Sequence, residues 1–122
     1  MCTHSDLRFT FTVHDVTGDR TYEAVGFLKE GEPHCLGAEM LHRTAHTNGG
    51  AITEEDEAFL IPRLDQLPTE LEPYWLVTAR LNPGNPPNNV SCFACTESRW
   101  YRFWDWLGYG WFPQCLVLRR TP

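Results

Sequence analysis

Basic charge is scarce in this chain. Lys29 is the only lysine, and the sole pair of adjacent basic residues is Arg119–Arg120. Asp and Glu number 16 against 10 for Lys and Arg, leaving a formal net charge of −6. An acidic chain with no basic patch repels phosphate backbones, so nucleic acid is not an expected partner. Long apolar runs are also missing, for no stretch approaches the ~18 residues that cross a bilayer. Met1 to Asp6 shows no basic region followed by an apolar run, the mark of a secretion signal. The expectation is a cytoplasmic protein that does not touch a membrane. Five cysteines cannot all pair, and without an export signal the reduced thiol is the default.

Familiar catalytic motifs are absent as well. The chain holds no phosphate-binding Gly-x-x-x-x-Gly-Lys-Ser/Thr, no Gly-x-Gly-x-x-Gly and no Gly-x-Ser-x-Gly. Nothing indicates an enzyme class, and no cofactor is expected. A site assembled from scattered residues would leave no such trace.

What is present fits one domain over residues 1–122. Hydrophobic residues make up 42% and charged residues 21%, an ordinary globular balance. Leu7, Phe9, Phe11 and Val13 alternate with polar residues, the period of a half-buried strand. Thr17-Gly18-Asp19-Arg20 supplies a turn, and Tyr22 to Leu28 reads as the returning strand. From Leu36 to Thr47 the period becomes helical, with Ala38, Leu41 and Ala45 on one face. Asn48-Gly49-Gly50 ends that helix. Thr53 has the form of an N-cap, with Asp56 three residues on completing a capping box. A short helix should follow through Ile61, interrupted by Pro62, with one more apolar turn at Leu64 and Leu67. Tyr74–Leu81 and Val90–Thr96 read as strands on either side of a Pro/Asn/Gly loop. Ser98 caps a predicted third helix to Leu107, and Gln114–Arg120 reads as the last strand. The order β-β-α-α-β-β-α-β predicts an α+β fold: an antiparallel sheet of about five strands, with two to three helices on one face.

Four features bear on function. Glu39, His42 and His46 share one side of the first helix at a spacing that could hold a metal. Arg43 stands where a zinc hydrolase motif would place its glutamate, so no metal is expected there. Cys92-Phe93-Ala94-Cys95 has the spacing of a metal knuckle or redox pair. In a strand, though, residues three apart face opposite ways, and two buried thiols are the simpler reading. Glu54-Glu55-Asp56-Glu57 offers either a complement to the helix dipole or a docking patch for a basic partner. Finally, four of the five tryptophans fall between residues 100 and 111. As a helix, Trp100, Phe103, Trp104 and Leu107 make one core stripe from which Trp106 projects away. Trp106, Tyr109, Trp111 and Phe112 are then the candidates for an exposed binding surface.

These observations converge on a small protein-interaction or inhibitor-type module with an aromatic and acidic surface. Its expected partner is another protein, one of basic charge being the complement to this acidic chain, or a second copy of the chain. Two other readings use the same residues: a metal-dependent hydrolase at Glu39, His42 and His46, and a small-ligand pocket walled by the C-terminal aromatics.

Overall fold

A computed structural model of the chain describes residues 3–45, 50–81, 89–108 and 110–121. The chain opens with the expected hairpin, β1 (Arg8–Val13) and β2 (Arg20–Val25), in which Phe11 faces Tyr22 and Val13 faces Arg20. A two-residue strand β3 (Cys35–Leu36) leads into helix α1 (Gly37–Thr44), then β4 (Gly50–Ala51) and helix α2 (Glu54–Leu60). Short 3-10 turns at Ile61–Gln66 and Thr69–Leu71 lead to β5 (Trp75–Leu81). Four strands follow: β6 (Asn89–Thr96), β7 (Arg99–Trp106), β8 (Gly110–Trp111) and β9 (Cys115–Arg120).

Seven strands form one sheet in the order β1-β2-β9-β5-β6-β7, with β4 also on β9. Because β5 and β9 run parallel, the sheet is mixed, which corrects the expected antiparallel sheet of about five strands. A separate ribbon joins β3 to β8, pairing Cys35 with Trp111 and Leu36 with Gly110. Among the described residues no helix is long and apolar enough to cross a membrane.

Helices lie on both faces of the sheet rather than on one. Successive strand residues alternate between two cores, as the pleat requires. Tyr22, Ala24, Leu76, Phe93, Leu116 and Leu118 pack under α2 with Leu60 and Leu64. Val25, Val77, Val90, Cys92, Cys115 and Val117 pack on the other side with Met40 of α1 and Trp111. The buried side of α1 is Gly37, Met40 and Thr44, while Ala38 and Ala45 are exposed. Of the apolar stripe expected at Ala38, Leu41 and Ala45, only Leu41 packs against the core, and Met40 takes the buried position because it offers a larger apolar surface than either alanine.

The expected third helix is strand β7. Arg99–Trp106 pairs with the whole of β6, from Thr96↔Arg99 to Asn89↔Trp106. Trp100 packs against the core under α2, and Phe103 and Leu107 against the opposite core. Residues expected to form one helical stripe are thus divided between two faces. Aromatic side chains suit a pleated surface, and the pairing with β6 leaves this segment no helical hydrogen bonds to make.

The capping box of α2 is present: Asp56 N donates to Thr53 Oγ1 at 3.1 Å, and Thr53 N to Asp56 Oδ2 at 3.1 Å. The four-acid run divides at that point. Glu54 and Glu55 are exposed, whereas Asp56 and Glu57 are buried against the sheet. Asp56 Oδ1 accepts from Arg20 at 3.0 Å and from the Tyr22 hydroxyl at 3.0 Å, and Arg120 lies 3.5 Å away. Glu57 takes Arg80 at 2.7 Å and Arg102 at 3.3 Å. Half of the supposed docking patch is therefore a clamp that fastens α2 to three strands and the Arg80 end of a fourth.

Candidate functional site

The β3–β8 ribbon and the end of β7 meet at one corner of the sheet, on the α1 side. Gly37 makes this meeting possible. A Cβ there would lie 2.0 Å from the Leu107 carbonyl oxygen, so any other residue would push α1 off the turn after β7. Trp111 closes the corner from within: it is 1% exposed, and its indole N–H donates to Leu107 O at 3.1 Å. Trp111 is thus a core anchor and not part of an exposed surface, a correction to the sequence expectation. An indole so placed fills the gap between ribbon and sheet and satisfies its polar edge.

Outside this anchor the surface is apolar. Trp106 is 50% exposed and Leu36 is 65% exposed. With Gly37, Ala38, Leu107 and Gly108 they line a groove of about 350 Å³. Trp106 lies flush against Gly108, where an added Cβ would come within 2.5 Å of its ring. Two acidic residues flank the groove in sequence, Glu39 after Ala38 and Asp105 before Trp106.

Beside the groove is a cleft of about 410 Å³ lined by Trp75, Asp105, Gly110, Trp111 and Phe112. Trp75 and Phe112 have ring centroids 5.8 Å apart at 62°, and Phe103 packs on Trp75 at 5.3 Å and 76°. Phe112 therefore does belong to a recess, but together with Trp75 and Asp105, which sequence reasoning left in a plain strand and a plain helix. Only Asp105, alone among aromatics in Trp104-Asp105-Trp106, carried a signal that could have been read. Tyr109 lies outside the described residues.

The thiols near this cleft are held protonated. Burial, and then the charge of Asp105, push Cys92 well above the ordinary thiol range. Burial raises Cys115 to about 12, with Asp105 adding to the rise and a Phe112 backbone hydrogen bond opposing it. A thiol so placed is no nucleophile at neutral pH. Cys92 faces the α1-side core and Cys95 points to the other side of β6, where its strand partner is Trp100. The two sulfurs diverge, as the strand reading requires.

Of the residues of the hydrolase reading, Glu39 and His42 are described and neither belongs to a metal-holding group. Arg43 donates to Glu32 through its two terminal guanidinium nitrogens, at 2.6 and 3.0 Å, and its Nε lies 3.6 Å from Glu39. The guanidinium occupies the side of α1 that a cation would need. His42 is exposed, and His46 lies outside the described residues. Among the described residues no group of three or more His, Cys, Asp or Glu is placed to hold a metal. A cavity of about 550 Å³ elsewhere is lined by Arg8, Lys29 and Arg43 along with Asp6. Its guanidiniums already answer to carboxylates, Arg43 to Glu32 and Arg8 to Glu23 at 3.6 Å.

No protein-family model, no curated protein and no solved structure matches this chain.

Proposed function

We propose that this chain is a small protein-interaction module that docks a basic segment of a partner protein across the Leu36–Trp106 groove. The observation that carries this reading is the pairing of a half-exposed tryptophan with a largely exposed leucine around one apolar recess. Solvent-facing aromatic recesses are uncommon on isolated domains and typical of interfaces. Charge supports the choice of partner. The chain carries −6 overall, Asp105 lines the neighbouring cleft, and opposite charge on a partner speeds encounter and orients it. Trp111 supports the groove from beneath without belonging to it. A cytoplasmic setting accords with the reading, since Cys35, Cys92, Cys95 and Cys115 are unpaired thiols.

The test compares Trp106→Ala and Leu36→Asp with the parent protein. Binding is measured against an array of Lys/Arg-rich peptides that each carry one large apolar residue, and solution mass is recorded. Trp106→Ala should cost under ~1 kcal/mol of stability, as surface positions do, and should abolish peptide binding, because tryptophan dominates interface hot spots. Trp111→Ala, the buried comparator, should cost about 3–5 kcal/mol. Peptide binding that survives both groove variants, or is absent from the parent, removes the reading. A Trp106-dependent doubling of mass replaces the partner with a second copy of the chain.

A further inference from the structure

Among the described residues each buried carboxylate has an arginine within 4 Å: Glu23 has Arg8, Asp56 has Arg20 and Glu57 has Arg80. Asp105 breaks that pattern. It is half-buried in the aromatic cleft, yet no cation lies within ion-pair distance of it among the described residues. One of its oxygens, Oδ1, accepts the Trp106 backbone N–H at 2.8 Å, which fixes the carboxylate in place. Around it stand Trp75 and Phe112, inclined at 62°, and the anchored Trp111. Such walls are mainly aromatic and offer π surface, with the Asp105 carboxylate and the Gly110 backbone as their polar part.

That combination selects among cations. A primary ammonium is compact and strongly hydrated, with three N–H donors. In this cleft it would exchange several water contacts for one free carboxylate oxygen, and the unmatched donors would be costly. A trimethylammonium group has no N–H to satisfy and spreads its charge over methyl groups that pack on aromatic rings, the arrangement in which cation–π attraction is most effective. We propose that the Trp75–Phe112–Asp105 cleft receives a trimethylammonium group, and that on the docking surface proposed above, on which this part rests, that group is a trimethylated lysine of the partner. Leu36 of the groove pairs with Gly110 of the cleft across the β3–β8 ribbon, so the two recesses share that ribbon and one bound segment can reach both.

The experiment titrates the full chain with free trimethyl-lysine, lysine, choline and the neutral tert-butyl isostere of choline. Tryptophan fluorescence and the NMR shifts of Asp105 and Phe112 report on the cleft. Trimethyl-lysine and choline should both bind, with lysine and the neutral isostere at least about tenfold weaker. Asp105→Asn and Phe112→Leu, each shown folded by denaturant melt, should lose about as much, and Val16→Ser, at a fully exposed position outside the cleft, should leave the probe affinity unchanged. Equal binding of the isostere, or shifts confined to residues outside the cleft, overturns the cation site. Choline binding with trimethyl-lysine excluded overturns the lysine assignment. Because these probes need no partner, a silent cleft beside Trp106-dependent peptide binding sinks this inference alone, and the reverse result sinks the docking reading.

Discussion

His4 joins three segments through one ring. Its Nδ1 accepts the backbone N–H groups of Phe27 at 3.1 Å and Leu28 at 3.0 Å, which places the ring proton on Nε2, where it donates to Cys115 O at 3.0 Å. Gly26 permits the approach, since a Cβ there would fall 1.7 Å from His4 O. Protonation would turn the acceptor into a donor facing two other donors. Burial lowers the His4 pKa from its ordinary 6.5, against the raising effect of the Cys115 and Pro113 carbonyls. The unfolded chain therefore takes up the proton first. Stability from His4 should be complete above pH 6.5 and decline as pH falls from there towards the depressed folded value. Denaturant melts at stepped pH should show this slope, and His4→Ala should abolish it. The same variant should cost about 1–3 kcal/mol at pH 8 by orphaning two buried donors. A slope that persists in His4→Ala would assign it to another group.

At the scale of elements, the β6–β7 hairpin turns through Glu97 and Ser98, with φ of 53° and 63°. Two consecutive left-handed residues are the mark of a type I′ turn, which favours Asn-Gly. This hairpin therefore carries strain of roughly 1–2 kcal/mol per residue. Replacing Glu97-Ser98 by Asn-Gly should stabilise the protein by about 1 kcal/mol or more, read as a rise in the denaturant midpoint at unchanged slope. The same turn explains why β7 was misread from sequence. Glu-Ser resembles the start of a helix more than the tip of a hairpin, and Trp100, Phe103, Trp104 and Leu107 satisfy a helical period by coincidence. By contrast, the α2 capping box, the first hairpin, β5, β6 and β9 were legible, because their signals are local. The candidate site was only partly legible. Trp106 stood out, but the burial of Trp111 depends on its pairing with Cys35, some 76 positions earlier, and Trp75 acquires its role only when the β8 end folds over it. A register formed between distant segments leaves no periodic mark.

For the whole molecule, the decisive arrangement is a sheet covered on both faces, with α2 clamped by buried charge. Burial by itself would raise the Asp56 pKa. The Thr53 donors, Tyr22 and Arg120 outweigh it and hold the carboxyl below its ordinary value, while Tyr22 is pushed up to about 12, by burial first and then by the Asp56 charge. With a depressed folded pKa, the contribution of Asp56 is present above the unfolded carboxylate value near ~3.9 and is lost as pH falls through the folded one. Acid unfolding should thus show a steep component below pH ~4. Asp56→Asn should flatten that component while lowering stability at neutral pH, since Arg20 and Arg120 lose their counter-charge. A steep component that survives the substitution would place the acid sensitivity elsewhere.

The position of β9 has a consequence for synthesis. It follows every other strand of the described residues in sequence, yet it sits at the centre of the sheet between β2 and β5. Until residues 115–120 leave the ribosome, the N-terminal hairpin and the β5–β6–β7 sheet are two separate pieces, each presenting an unpaired edge. Such edges invite pairing with other nascent chains. A chain truncated before residue 115 would then lose the strand that joins the halves, which makes it a ready substrate for proteases that clear incomplete products.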